Sequence, residues 1–162
     1  MKQLWAPWRL QYIAEADRQP PRCIFCDAAS AGPPGSDGLV LRREALATVM
    51  LNKYPYSNGH ILIAPASHKA AVEDLDGDES ASLFSLVQRS VSVLKEAFSP
   101  DGFNIGMNLG NAAGAGIEDH LHVHVVPRWG GDTNFMPVLA DTRVIPQHLE
   151  ETARLLRPRF GD

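Results

Sequence analysis

The chain has 162 residues, 44% of them hydrophobic, which suits one globular domain, 1–162, with a real core. A net charge of −4 and a pI near 5.8 argue against broad electrostatic binding to nucleic acid, though not against a small anion site. Two cysteines make no disulfide framework, no apolar run approaches the roughly 18 residues of a membrane span, and the N-terminus lacks a signal peptide's apolar core, so a soluble cytoplasmic protein with no membrane partner is expected.

Residues 1–22 form an aromatic, basic, proline-containing arm. Trp5, Trp8, Leu10, Tyr12 and Ile13 can anchor it by packing, or contribute to a partner subunit or a substrate mouth. Cys23-Ile24-Phe25-Cys26 is by itself half a zinc site or two reduced thiols, since tetrahedral zinc needs two more ligands. Residues 29–38 are loop by composition. Leu39–Leu41 and Ala47–Leu51 read as a hairpin. Asn52, at a strand end, is a natural turn former, and the connection to Gly59 is rich in turn residues. His60–Pro65 reads as a strand with Ile61 and Ile63 on one side and His60 and Leu62 on the other.

Asp76–Phe98 is the longest helix candidate. Leu83, Leu86, Val87, Val91, Leu94 and Phe98 recur at helical spacing, Asp76 or Asp78 can cap the start, and Ser99-Pro100-Asp101-Gly102 ends it. Phe103–Leu109 reads as a strand that includes Asn108. The loop that follows, 110–116, carries Gly110, Gly114 and Gly116 with Ala115 between the last two. It is neither a Walker loop nor a dinucleotide fingerprint, but its glycines let successive N–H groups converge on an anion.

His120-Leu121-His122-Val123-His124-Val125-Val126 is the most informative stretch. Its alternation is the period of a strand, with three imidazoles on one face and Leu121, Val123 and Val125 on the other. Neighbouring histidines would lie about 6.5–7 Å apart, too far for one metal ion to hold all three. A line of rings suits a chain of phosphates better. Neutral imidazole is also a workable nucleophile at phosphorus. Beyond Pro127, Arg128 either meets substrate phosphate or is simply exposed, and Trp129 either walls a nucleotide pocket or packs in the core. Residues 146–158 read as a closing helix, with Pro146 in its first turn and Leu149, Ala153 and Leu156 on its apolar side.

The run 120–126 is similar to the signature of the histidine triad family of nucleotide hydrolases and transferases. The flanks extend the resemblance: Leu51-Asn52-Lys53-Tyr54-Pro55-Tyr56-Ser57-Asn58-Gly59-His60 upstream, and Pro127-Arg128-Trp129-Gly130-Gly131-Asp132 downstream. Leu4-Trp5-Ala6-Pro7-Trp8-Arg9 looks most like the branch that includes bacterial diadenosine tetraphosphate phosphorylases. The resemblance implies an α+β fold, an antiparallel sheet of about five strands with helices on one face, and a homodimer with a continuous sheet. It implies structural zinc on Cys23, Cys26, His68 and His120. By the same resemblance His60 orients a triad ring, and Asn52 lies near the nucleotide sugar.

It also implies that His122 attacks the α-phosphorus of a nucleotide while His124 donates to a phosphate oxygen. His120 then sets the strand or binds zinc, and the loop and Asn108 stabilise the charge. Water or inorganic phosphate would resolve the nucleotidyl-histidine. The alternatives are a non-catalytic purine-nucleotide-binding protein, a nucleoside phosphoramidase, and a zinc module. Many members carry Gln and Ser or Thr where this chain has Gly116 and Ile117. A hydroxyl that could assist a strongly basic leaving amine is therefore missing, which favours dinucleoside polyphosphates, whose leaving groups are weak bases.

Overall fold

The computed structural model describes residues 23–30, 38–132 and 147–161. The N-terminal arm 1–22, most of the loop 29–38, and Pro146 lie outside the described residues. The described elements are α1 (Ile24–Ser30), β1 (Val40–Arg43), β2 (Ala47–Leu51), β3 (Ile61–Pro65), α2 (Gly77–Phe98), β4 (Gly102–Met107), β5 (Val123–Arg128) and α3 (Leu149–Phe160). The five strands form one antiparallel sheet in the order β1-β2-β3-β5-β4.

Strand alternation splits the core in two. Val49, Leu51, Ile61, Ile63, Val123 and Val125 meet Leu83, Leu86, Val87 and Leu94 of α2 and Ala153, Leu156 and Phe160 of α3. Val40, Met50, Leu62 and Ala64 face the other way, onto Phe25 and Ala28 of α1. The expected helices on one face are thus α2 and α3, and short α1 covers part of the opposite face. The Arg43 guanidinium, bonded to the Ala28 carbonyl, ties α1 to the sheet edge.

α2 begins with a capping box. The Asp76 carboxylate accepts from Glu79 N–H at 2.8 Å, and Glu79 Oε2 accepts from Asp76 N–H at 3.0 Å. Glu79 also takes Ser67 Oγ–H at 2.5 Å and Lys69 Nζ at 2.6 Å. One carboxylate therefore joins the start of the helix to the segment leaving β3. At the other end, Gly59 has φ +74°, and a Cβ there would lie 3.0 Å from both Leu94 and Phe98. Only glycine fits that turn beneath α2, and it aims His60 into the sheet.

The strand expected from His120 begins only at Val123. The ladder explains the difference. Val123 pairs with Ile63, so continuing the register sets Leu121 opposite Pro65, which has no N–H to give. Leu121 N–H donates instead to Lys69 O at 2.7 Å. β1 starts one residue later than expected, and β4 ends at Met107, leaving Asn108 outside the sheet. α3 runs to Phe160, beyond the expected end at 158, because Phe160 is buried in the core. A cavity of about 360 Å³ lined by Arg42, Glu44, Arg89 and Phe160 lies beneath this helix end, against α2. Both of its arginines donate to carbonyls among residues 159–161.

Candidate active site

Four histidines converge on the α1 side of the sheet, and each bond to a main-chain group fixes a tautomer. His122 Nδ1 lies 2.9 Å from the carbonyl of His120, which can only accept. Nδ1 therefore carries the proton, and the lone pair sits on Nε2. His60 Nδ1 accepts the Tyr56 N–H at 3.1 Å and lies 3.3 Å from the Asn52 amide nitrogen. Its proton is thus on Nε2, which donates to His124 Nδ1 at 3.0 Å. His124 must then hold its own proton on Nε2. That nitrogen is buried and has no hydrogen-bond partner among the described residues.

The rings of His122 and His124 have centroids 4.9 Å apart, closer than the strand spacing, with their planes at 58°. A free lone pair and a free N–H therefore stand side by side. Burial keeps the group neutral. It holds His60 down to about 3, helped by His124 and His122. It holds His124 at about 4, helped by His122. Burial also lowers His122, partly offset by the His120 carbonyl. A neutral nucleophile beside a neutral donor can approach an anionic phosphorus centre and donate to an oxygen on it.

His120 has a different role. Its Nε2–H donates to Pro65 O at 2.9 Å, which leaves the Nδ1 lone pair for a ligand. That atom lies 3.1 Å from Cys23 Sγ, 3.6 Å from Cys26 Sγ and 3.3 Å from His68 Nδ1. Cys26 Sγ lies 3.2 Å from His68 Nδ1, and all four ligand atoms fall within 4.8 Å of one another. Tetrahedral zinc with thiolate and imidazole ligands puts neighbouring ligand atoms roughly 3.3–3.8 Å apart. The four residues fit such an ion. Burial, reinforced by the adjacent Cys23 thiol, pushes the Cys26 thiol up, and a bound cation would reverse that.

Other expected site residues do not join this group. Asn52 Oδ1 accepts Tyr54 N–H at 2.9 Å and its amide nitrogen faces His60, so it builds the turn that orients His60. Arg128 stands four residues beyond His124, about 13 Å along the strand. It is paired with Asp132 at 2.5 Å and with Asn104 at 2.8 Å. Trp129 Nε1–H donates to Phe98 O at 3.3 Å, which makes it a contact with the end of α2. The loop is not the expected row of converging donors. Ala113 and Ala115 N–H turn to Gly110 O, and Gly114 N–H turns to Asn111 O. Asn108 follows Met107, the partner of Val123, and so leaves β4 beside the start of β5.

Two residues in the cluster were not singled out by sequence. Phe25 is buried with its ring 5.1 Å from that of His120 and 4.9 Å from that of His122. Its place between two metal-spaced cysteines was the available signal. Tyr56 lies over His60 and His124, with centroids at 4.8 and 6.1 Å. Its only sequence signal was its place in the turn before His60.

The HIT domain family model matches residues 35–131. The chain is 42% identical to AP-4-A phosphorylase of Mycobacterium tuberculosis over 169 aligned residues, covering 99% of this chain and 85% of that one. Among solved structures it resembles a zinc-bound histidine triad family protein from Mycobacterium smegmatis, with a TM-score of 0.66, 28% identity and coverage of 85% and 92%. It also resembles a hypothetical histidine triad nucleotide-binding protein from Sulfolobus tokodaii, with a TM-score of 0.68, 28% identity and coverage of 85% and 91%. With each triad histidine fixed in a defined tautomer and the family match over residues 35–131 containing all three, the chain belongs to the HIT domain family, the histidine triad proteins.

Proposed function

We propose that this chain is an enzyme that cleaves dinucleoside polyphosphates such as diadenosine tetraphosphate. His122 Nε2 forms a bond to the α-phosphorus while the bond from that phosphorus to the bridging oxygen breaks. The shortened nucleoside polyphosphate leaves with the bridging oxygen and its electron pair. His124 Nε2–H donates to a phosphate oxygen as charge gathers there. An oxygen of inorganic phosphate or water then attacks the phosphorus, and the bond to Nε2 breaks. The mycobacterial relative's name favours phosphate as that acceptor.

The observation that carries this reading is the pair of complementary tautomers on His122 and His124. The missing hydroxyl at Gly116 and Ile117 agrees with a weakly basic leaving group. Zinc would be held by Cys23, Cys26, His68 and His120. When bound it supplies structural closure, fixing α1 to the exit of β3. Reduced thiols and a nucleotide substrate suit a cytoplasmic setting. No helix among the described residues is long and apolar enough to cross a membrane.

The active form is a homodimer with the two β4 edges paired. β1, the other edge, is covered by Arg157, which donates to Val40 O and Gly38 O at 3.1 Å each. β4 instead exposes Ile105 and Met107, with Leu109 just beyond, at 49%, 40% and 46%. An exposed apolar edge of that kind is a pairing surface.

The test is incubation with diadenosine tetraphosphate, with and without inorganic phosphate, followed by acid quench and product separation. Phosphorolysis gives ATP and ADP; hydrolysis gives ATP and AMP. His122→Ala is expected to abolish both the products and the acid-quenched adduct. AMP binding without any adduct or turnover would replace the enzyme with a nucleotide-binding protein.

A further inference from the structure

His124 is poorly held by its strand neighbours. Its partner on β4 is Gly106, where an added Cβ would meet nothing within 4 Å. No side chain supports the ring from that position. Its partner on β3 is Leu62, which packs in the small core with Phe25. Its Nε2 has no hydrogen-bond partner among the described residues. The bond from His60 fixes one corner of the ring, and a ring fixed at one corner can still tilt.

Tyr56 supplies what is missing. Its ring lies nearly parallel to both imidazoles, at 29° to His60 and 18° to His124. Its backbone N–H sets the tautomer of His60, and through it that of His124. Tyr56 is 42% exposed, so it roofs the pair at the open side of the site. Parallel stacking of aromatic rings favours this orientation.

We propose that Tyr56 is a positioning residue for His124: its ring and its N–H together hold His124 as the Nε2–H tautomer, aimed at the phosphate oxygen. It acts through His124 and does not itself touch the reacting atoms. The tautomer claim stands on geometry alone, and only the kinetic claim rests on the function proposed above.

The experiment compares wild type, Tyr56→Ala, Tyr56→Leu and Tyr56→Phe, each checked for fold by circular dichroism. Nitrogen-15 NMR of labelled histidine reads the tautomer without any turnover. Wild type is expected to give a single Nε2–H form for His124; without the stacked ring the turn presents the Tyr56 N–H to His60 less squarely, so Tyr56→Ala should give a mixture of both forms. With diadenosine tetraphosphate, kcat of Tyr56→Ala should fall about tenfold to hundredfold with KM nearly unchanged. Tyr56→Leu keeps bulk without the stack and should behave like Tyr56→Ala, while Tyr56→Phe should restore both readouts. A wild-type tautomer signal in Tyr56→Ala and Tyr56→Leu would overturn the proposal, as would a loss confined to KM. If wild type turns over no dinucleoside polyphosphate, the proposed function fails while the NMR comparison still decides the role of Tyr56.

Discussion

His60 Nε2 lies 3.0 Å from His124 Nδ1, so a buried residue on the turn before β3 decides which nitrogen of a β5 histidine carries a proton. Replacing His60 by Ala releases that choice. kcat is expected to drop about tenfold to hundredfold. The Tyr56 N–H loses its acceptor as well, at a cost of about 1–3 kcal/mol in stability. Steady-state kinetics and urea unfolding on the same preparation check both numbers.

Acid should weaken the fold through the histidines first. His60 and His124 titrate at about 3 and about 4 when folded and near 6.5 when unfolded. Between those values the unfolded chain binds protons that the folded chain does not. Stability is therefore full above pH 6.5 and declines as pH falls toward 4 and then 3. Glu79, held down to about 2 by Lys69 and Ser67, adds its own loss only below about pH 4.5. Urea midpoints between pH 7.5 and 5 should fall in wild type and fall less steeply in His60→Gln.

Removing the metal should uncouple stability from chemistry. Cys26→Ser or His68→Ala takes a ligand from the cluster but leaves His122 and its carbonyl bond in place. Bound zinc, measured by mass spectrometry, should fall well below stoichiometric. The melting temperature should drop, while acid-quenched adduct still forms on His122. A chelator should reproduce the drop in melting temperature.

The start of α2 offers a graded test. Asp76→Ala removes one half of the capping box and should cost about 1 kcal/mol. Glu79→Ala should lower the melting temperature further, since it also releases Ser67 and Lys69. Because Lys69 O receives the Leu121 N–H, metal affinity at the adjacent His68 and His120 should weaken too.

At the uncovered sheet edge, Ile105→Lys places a charge where two β4 strands would meet. Sedimentation should show a dimer for wild type and a monomer for the variant. A wild-type monomer at micromolar concentration would remove the edge-pairing proposal.

Much of this arrangement was legible in the residues, for identifiable reasons. Asp76 followed by Glu79 ahead of an apolar stripe is a local signal, and the helix starts where it says. Isoleucines at 61 and 63 face the long helices, and Leu62 faces the other way, as alternation requires. The start of β5 was not legible, because it depends on which residue lies across the ladder, and a proline 58 positions earlier in the chain cannot be paired from pattern alone. The internal bonds of the glycine loop were not legible for a similar reason: flexibility permits a cradle, but the loop's own carbonyls compete for donors at Ala113, Gly114 and Ala115. Arg128 looked available because Asn104, one of its acceptors, comes from another strand.

The side chain of His120 faces away from the chemistry: one nitrogen is anchored on Pro65 and the other turned to the cysteines, with Phe25 against the ring. Replacing it would unseat the short helix, loosen the end of β3 and disturb the bed under the nucleophile all at once. Such a variant would pass for a dead catalyst while lacking nothing that touches phosphorus. In the proposed mechanism the three alternating histidines thus divide their labour among architecture, attack and donation, and kinetics at the first of them would report on assembly.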